Sequence, residues 1–202
     1  MAAKSKSSRS SRKEVPDGTE LLVLELQEIH SAESQLARVL PRVTKAVESE
    51  NLRKFVELRL EQGERLIGEL ETALEELEES PGRKKNVAAE GLINDMREHI
   101  QEIAQSPSLD AVLIAALQKT EHYCVAAWGT AKALGQAMEQ KTVVRSMERA
   151  LKEGKSLDEE LTQLAEREVT PAILSQDSGD EEADSDGKSA RRGSRSENEK
   201  RV

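Results

Sequence analysis

Hydrophobic residues recur along this chain at alternating spacings of four and three, the period that gathers them on one face of an α-helix. In the first such segment the stripe is Leu22, Leu26, Ile29, Glu33, Leu36, Leu40, Val43 and Val47. It predicts a helix from about Thr19 to Glu48, capped by Asp17 or Thr19, with Glu20 in its first turn. Pro41 lies inside it, and since the stripe keeps its register through Val43 and Val47, the proline is expected to kink the helix near Val39 rather than end it. A second helix is predicted from about Asn51, with Val56, Leu60, Gly63, Ile67, Leu70, Leu74 and Leu77 on its stripe, and Ser80-Pro81-Gly82 stops it. A shorter amphipathic piece with Ala89, Leu92, Ile93, Met96, Ile100 and Ile103 ends at Ser106-Pro107. The fourth, from about Ser108 to Glu139, carries Ile114, Leu117, Glu121, Cys124, Trp128, Ala131, Gly135 and Met138. The fifth carries Val144, Met147, Leu151, Gly154, Asp158, Leu161 and Ala165, and Pro171 is expected to close the ordered region.

Long helices with one apolar stripe each can hide those stripes only against one another, so the fold class is all-α, a four-helix bundle. Short links make helices 1 and 2, and helices 4 and 5, antiparallel hairpins. The longer stretch between helices 2 and 4 holds the additional short helix and can cross from one end of the bundle to the other, the connectivity of ferritin-like proteins.

Composition sets the limits of that domain. The chain has 202 residues, 34% charged and 1% aromatic, so its core must come from Leu, Ile, Val, Ala and Met. A bundle over residues 18–170 is expected, preceded by a basic, Ser-rich arm (1–17) and followed by a tail (171–202) that is acidic and then basic. Such charge blocks bury too little apolar surface to fold and are expected to be disordered. The net charge of −9 argues against nucleic-acid binding by the bundle itself, leaving contact with nucleic acid or an acidic partner to the tails. The single cysteine, Cys124, gives neither an internal disulfide nor zinc-type spacing. No apolar run spans a bilayer, and the expected location is cytoplasmic.

The chemistry worth attention is the carboxylate inside two of the stripes. Burying an unpaired carboxylate costs several kcal/mol, so Glu33 and Glu121 each need a cation, a hydrogen-bond network or a metal. Ferritin-like dinuclear sites hold iron or manganese with oxygen and imidazole ligands that converge from the four helices. Glu33 from helix 1, Glu121 from helix 4 and Asp158 from helix 5 lie on core faces by this phasing, while helix 2 offers only Glu64, at the edge of its stripe. The alternative is a metal-free arrangement in which Tyr123, Gln35 or Arg59 satisfies the two glutamates. Gly-rich phosphate loops, nucleophile elbows and Ser/His/Asp sets are lacking.

Several segments together resemble one family. Leu26 to Leu36 with Leu40-Pro41, then Leu60-Glu61-Gln62, Glu90 to Ile93, Gln118 to Tyr123 with Ala126 to Thr130, and Asp158 through Thr162 are similar to the bacterial YciF-type ferritin-like proteins, a stress-associated domain of unknown function. The resemblance covers about residues 19–168 and implies a ferritin-like bundle, often homodimeric, with a proposed metal site. Glu33, Glu121 and Asp158 match that family's pattern. His30, Arg59, Gly63, Cys124 and Gly154 stand where the family usually has Tyr, His, Thr, Glu and Glu. The expectation is therefore a non-catalytic or weakly metal-binding protein with a degenerate dinuclear site at Glu33, Glu64, Glu121 and Asp158. The alternatives are an iron or manganese oxidoreductase handling oxygen or peroxide, and a scaffold whose tails recruit partners.

Overall fold

The computed structural model describes residues 15–176; the expectations for the basic arm up to residue 14 and for the tail from residue 177 lie outside them. Five α-helices follow in order: α1 (Gly18–Ala46), α2 (Glu50–Glu76), α3 (Val87–Glu102), α4 (Pro107–Ala137) and α5 (Lys141–Leu164). No strand occurs among the described residues. Most helix starts are fixed by side chains that satisfy otherwise orphaned N–H groups. Asp17 accepts from the Glu20 amide at 2.9 Å while the Glu20 carboxylate accepts from the Asp17 amide, a capping box. Ser49, Asn86 and Ser106 cap α2, α3 and α4, and Pro107 sits in the first turn of α4, where its missing N–H costs nothing.

Hydrogen bonds across the turns fix the topology. Asp110, in the first turn of α4, accepts from the amides of Glu48 and Ser49 at 2.9 and 2.7 Å, and Gln105 donates to the Val47 carbonyl. Glu168, beyond α5, accepts from Ser49 and Asn51 at the same place. The α1–α2 turn, the start of α4 and the end of α5 thus meet at one end. At the other, Gln27 donates to the Ser80 carbonyl, and Met138 lies beside Gly18. The connection holding α3 returns along the outside of α1 and α4. This is the expected ferritin-like arrangement, with two antiparallel hairpins and a long crossover.

The core divides into two apolar clusters stacked along the bundle. One holds Leu36, Val43, Phe55, Val56, Leu113, Leu117, Leu157 and Leu161. The other holds Leu26, Ile29, Leu66, Leu70, Cys124, Trp128, Met147 and Ala150. Between them each helix breaks its stripe at the same level: Glu33 in α1, Arg59 in α2, Glu121 in α4 and Gly154 in α5.

Two stripes shift by one residue at some positions only: Val56, Gly63, Leu70 and Leu74 in α2 and Met147, Gly154 and Leu161 in α5 are buried as expected. Where they shift, α2 buries Arg59 and Leu66, with Leu60 and Ile67 only partly covered, and α5 buries Val143, Ala150 and Leu157 rather than Val144, Leu151 and Asp158. The cause in α2 is a buried arginine, which a hydrophobic pattern counts as surface. Pro41 is solvent-exposed within an unbroken α1. The end of the domain also moves. The chain stays helical through Pro171 to residue 176, Val169 is buried, and Ile173 packs on the core. A π-helical turn, Ala165–Val169, closes with the Thr170 amide bonded to the Ala165 carbonyl, so the helical ladder has already widened where Pro171, lacking an N–H, enters it.

Candidate functional site

At the level where the two clusters meet, three charged side chains are shut away from water: Glu33 is 1%, Arg59 2% and Glu121 1% exposed. Arg59 lies between the carboxylates. Its Nη2 donates to both oxygens of Glu33, at 3.1 and 3.0 Å, and its Nε donates to Oε1 of Glu121. Such charge-assisted, forked donation is the geometry a guanidinium supplies and an ammonium does not. The guanidinium also lies over Trp128, with its carbon 5.9 Å from the ring centroid.

Two glycines make the room for this arrangement. A Cβ at Gly63, one turn beyond Arg59, would come within 2.9 Å of Arg59 Nη1 and 3.1 Å of Glu33 Oε2. At Gly154 a Cβ would lie 2.6 Å from Cζ3 of Trp128. The cation and the indole therefore occupy space that side chains on α2 and α5 would otherwise fill.

The charges do not balance. One guanidinium faces two carboxylates, and Oε2 of Glu121 and Nε1 of Trp128 have no hydrogen-bond partner among the described residues. Burial opposes the charge on Arg59, but the attraction of Glu33 and Glu121 more than offsets it and holds its pKa above the ordinary arginine value. Burial raises the pKa of Glu121; Arg59 pulls it back only in part, and the neighbouring Glu33 pushes it further up. Burial, with both glutamates close by, pushes the Cys124 thiol well above its usual range, so the sulfur stays protonated and behaves as a small core group.

The four residues expected to ligate metal do not converge. Glu33 and Glu121 share one partner, as their stripe positions foretold, but Glu64 points to solvent on α2. Asp158 stands on the flank of α5, where its Oδ1 lies 3.3 Å from His122 Nε2 and 3.4 Å from Gln118 Nε2. Both misplacements follow from the one-residue phase error in α2 and α5. His30 pairs with Glu71 at 3.1 Å and His99 with Asp95 at 3.5 Å, both away from the centre. Tyr123 and Gln35 do not reach the glutamates; both bond to Asn86, which ties the start of α3 to α1 and α4. Among the described residues no group of three or more His, Cys, Asp or Glu is placed to hold a metal ion. The residues present do not fit a metal pair, because a fixed cation already stands between the two carboxylates that would bridge it, and Gly63, Cys124 and Gly154 add no oxygen ligand.

The profile of a domain of unknown function, DUF892, matches residues 17–173. The chain is 35% identical over 141 residues to Protein YciF of Escherichia coli (strain K12), an alignment covering 69% of this chain and 85% of that protein. The crystal structure of the E. coli stress protein YciF superposes with a TM-score of 0.71 at 32% identity, covering 75% of this chain and 96% of the other. A protein from Rhodopseudomonas palustris, described as a candidate structural protein, superposes with a TM-score of 0.69 at 28% identity, over 77% of this chain and 96% of that one.

Proposed function

The chain belongs to the DUF892 family, and we propose that it is a non-catalytic, stress-associated member whose bundle is held at its centre by an internal guanidinium rather than by a metal pair. The observation that carries this reading is the engagement of both central carboxylates by Arg59. Substituting a tethered cation for a bound one removes any dependence of the fold on metal supply. It also removes the open coordination position that oxygen or peroxide chemistry requires. The stress association is supported by the description of the E. coli relative as a stress protein, and the structural role by the description of the R. palustris protein.

The test is thermal unfolding of the full chain with and without ferrous iron or manganese, together with metal analysis of protein purified without chelator. A ligand present at a hundred times its dissociation constant stabilises by about 2.7 kcal/mol, so binding would be plain in the melting temperature. The expected result is sub-stoichiometric metal and an unchanged transition. A saturable rise that disappears in Glu33→Ala would overturn the proposal and restore the oxidoreductase alternative.

A further inference from the structure

A second, separate feature lies on the flank of the bundle, where α1 and the connection between α2 and α3 enclose a pocket of about 370 Å³. Arg38 lines it from α1 and Arg83, Lys84 and Lys85 from the connection, with Ser31 and Ser34 between them, and no carboxylate lines it. In a chain of net charge −9 such a concentration of cations is local and against the background. Lys84 is drawn to Glu28 at 3.4 Å, Lys85 to Glu90 and His30 to Glu71, all at the margins. Arg38 and Arg83 have no carboxylate partner among the described residues.

The connection is held in place rather than draped over the surface. Before it, Gln27 donates to the Ser80 carbonyl at 2.7 Å. After it, the Asn86 amide donates to Ser31 Oγ at 2.9 Å, Asn86 Nδ2 to the Glu28 carbonyl at 3.1 Å, and Gln35 Nε2 to the Asn86 carbonyl at 3.0 Å. Between these anchors Gly82 turns the chain at a φ of +70°, with the Gln27 side chain 3.4 Å beneath its missing Cβ, a position that only glycine fills without strain. Three consecutive cations are thereby gathered with Arg38 around one pocket before any ligand arrives; Lys84 and Lys85 each return an ion pair to the protein, whereas Arg38 and Arg83 do not.

We propose that this pocket binds a multiply charged phosphate-type oxyanion, with Arg38 and Arg83 as forked donors from opposite walls, Lys84 and Lys85 as point charges, and the serine hydroxyls as neutral donors. A volume of about 370 Å³ lined by four cations leaves room for two or more linked phosphoryl groups.

The test is calorimetric titration of inorganic triphosphate into the full chain at moderate salt, with circular dichroism melts checking that each variant keeps its fold. Saturable one-to-one binding is expected, weakened by about tenfold or more in Arg38→Ala/Arg83→Ala, since two charge-assisted donors are lost. Arg145→Ala, which removes an exposed cation elsewhere, should bind as the parent does. Gly82→Ala keeps every charge but strains the turn, and it should also weaken binding. Absence of saturable binding, equal affinity in the double variant, an equal loss in Arg145→Ala, or full affinity in Gly82→Ala would each overturn the assignment.

Discussion

The guanidinium of Arg59 lies over the face of Trp128, its carbon 5.9 Å from the ring centroid, and the indole itself is seated against the bare backbone of Gly154. Three helices are joined through that stack. Arg59 brings α2, Trp128 brings α4 and Gly154 brings α5, while the two carboxylates add α1 and a second grip on α4. Any change at one member is therefore felt by the others.

Arg59→Met should destabilise the bundle by about 3–5 kcal/mol, because it leaves two buried carboxylates without a cation. The full apolar replacement, Arg59→Met with Glu33→Leu and Glu121→Leu, should recover most of the loss, since a well-packed hydrophobic layer often equals or exceeds a buried ion-pair network. Urea unfolding of the parent, the single and the triple variant measures both. A triple variant no more stable than Arg59→Met would mean that the network contributes more than its desolvation costs.

Glycine in a helix interior ordinarily gains up to about 1 kcal/mol on replacement by alanine, and two positions separate that rule from its exception. At Gly68 nothing lies within 4 Å of an added Cβ, so Gly68→Ala should raise stability by roughly that amount. At Gly154 the methyl would lie 2.6 Å from the Trp128 ring, and overpacking of this kind costs about 1–3 kcal/mol, enough to reverse the sign. Melting temperatures moving in opposite directions for the two variants are the expected outcome; a rise in both would show that Trp128 can move aside freely.

The raised pKa of Glu121 carries a definite pH dependence. The folded chain holds this proton at pH values where the unfolded chain, at the ordinary value of 4.5, has released it. Folding then takes up a proton, so this group's contribution is fully present below 4.5 and is lost as pH rises through the raised value. Relative to Glu121→Gln, the parent should gain stability as pH is lowered from neutrality toward 4.5, read from denaturant midpoints across that window. Parallel profiles would mean that Arg59 keeps the carboxylate ionised throughout.

The fold was legible because four stripes of helical period leave few ways to hide them, and α1 and α4 bury nearly the residues their patterns name. Glu33 and Glu121 were legible for the same reason, as carboxylates in otherwise apolar rows. Arg59 was only half legible: it stood among three candidate partners for the glutamates, as the structure bears out, yet an arginine on an amphipathic helix reads as surface, so Leu60 and Ile67 rather than Arg59 and Leu66 read as core, which left exposed Glu64 as a candidate ligand. In α5 two neighbouring apolar rows compete, Val143-Ala150-Leu157 and Val144-Leu151, and periodicity alone does not separate them; choosing the second brought Asp158 inward. The same blindness to long-range partners hid Asp110 and Asn86, whose roles are bonds to segments distant in sequence. Pro171 reads as a stop because a proline signal says nothing of the widened turn before it.

Asp110 gives the two hairpins a common fate. The amides of Glu48 and Ser49 lie in the tight bend of the first hairpin, yet their acceptor is a carboxylate from the opening turn of the second. A first hairpin formed alone would leave those two donors to water and its bend unpinned. Docking of the later half completes it, so the final closure is shared between segments that local contacts alone would have allowed to form and melt separately. A single acidic side chain thus helps to make two neighbouring substructures one cooperative unit.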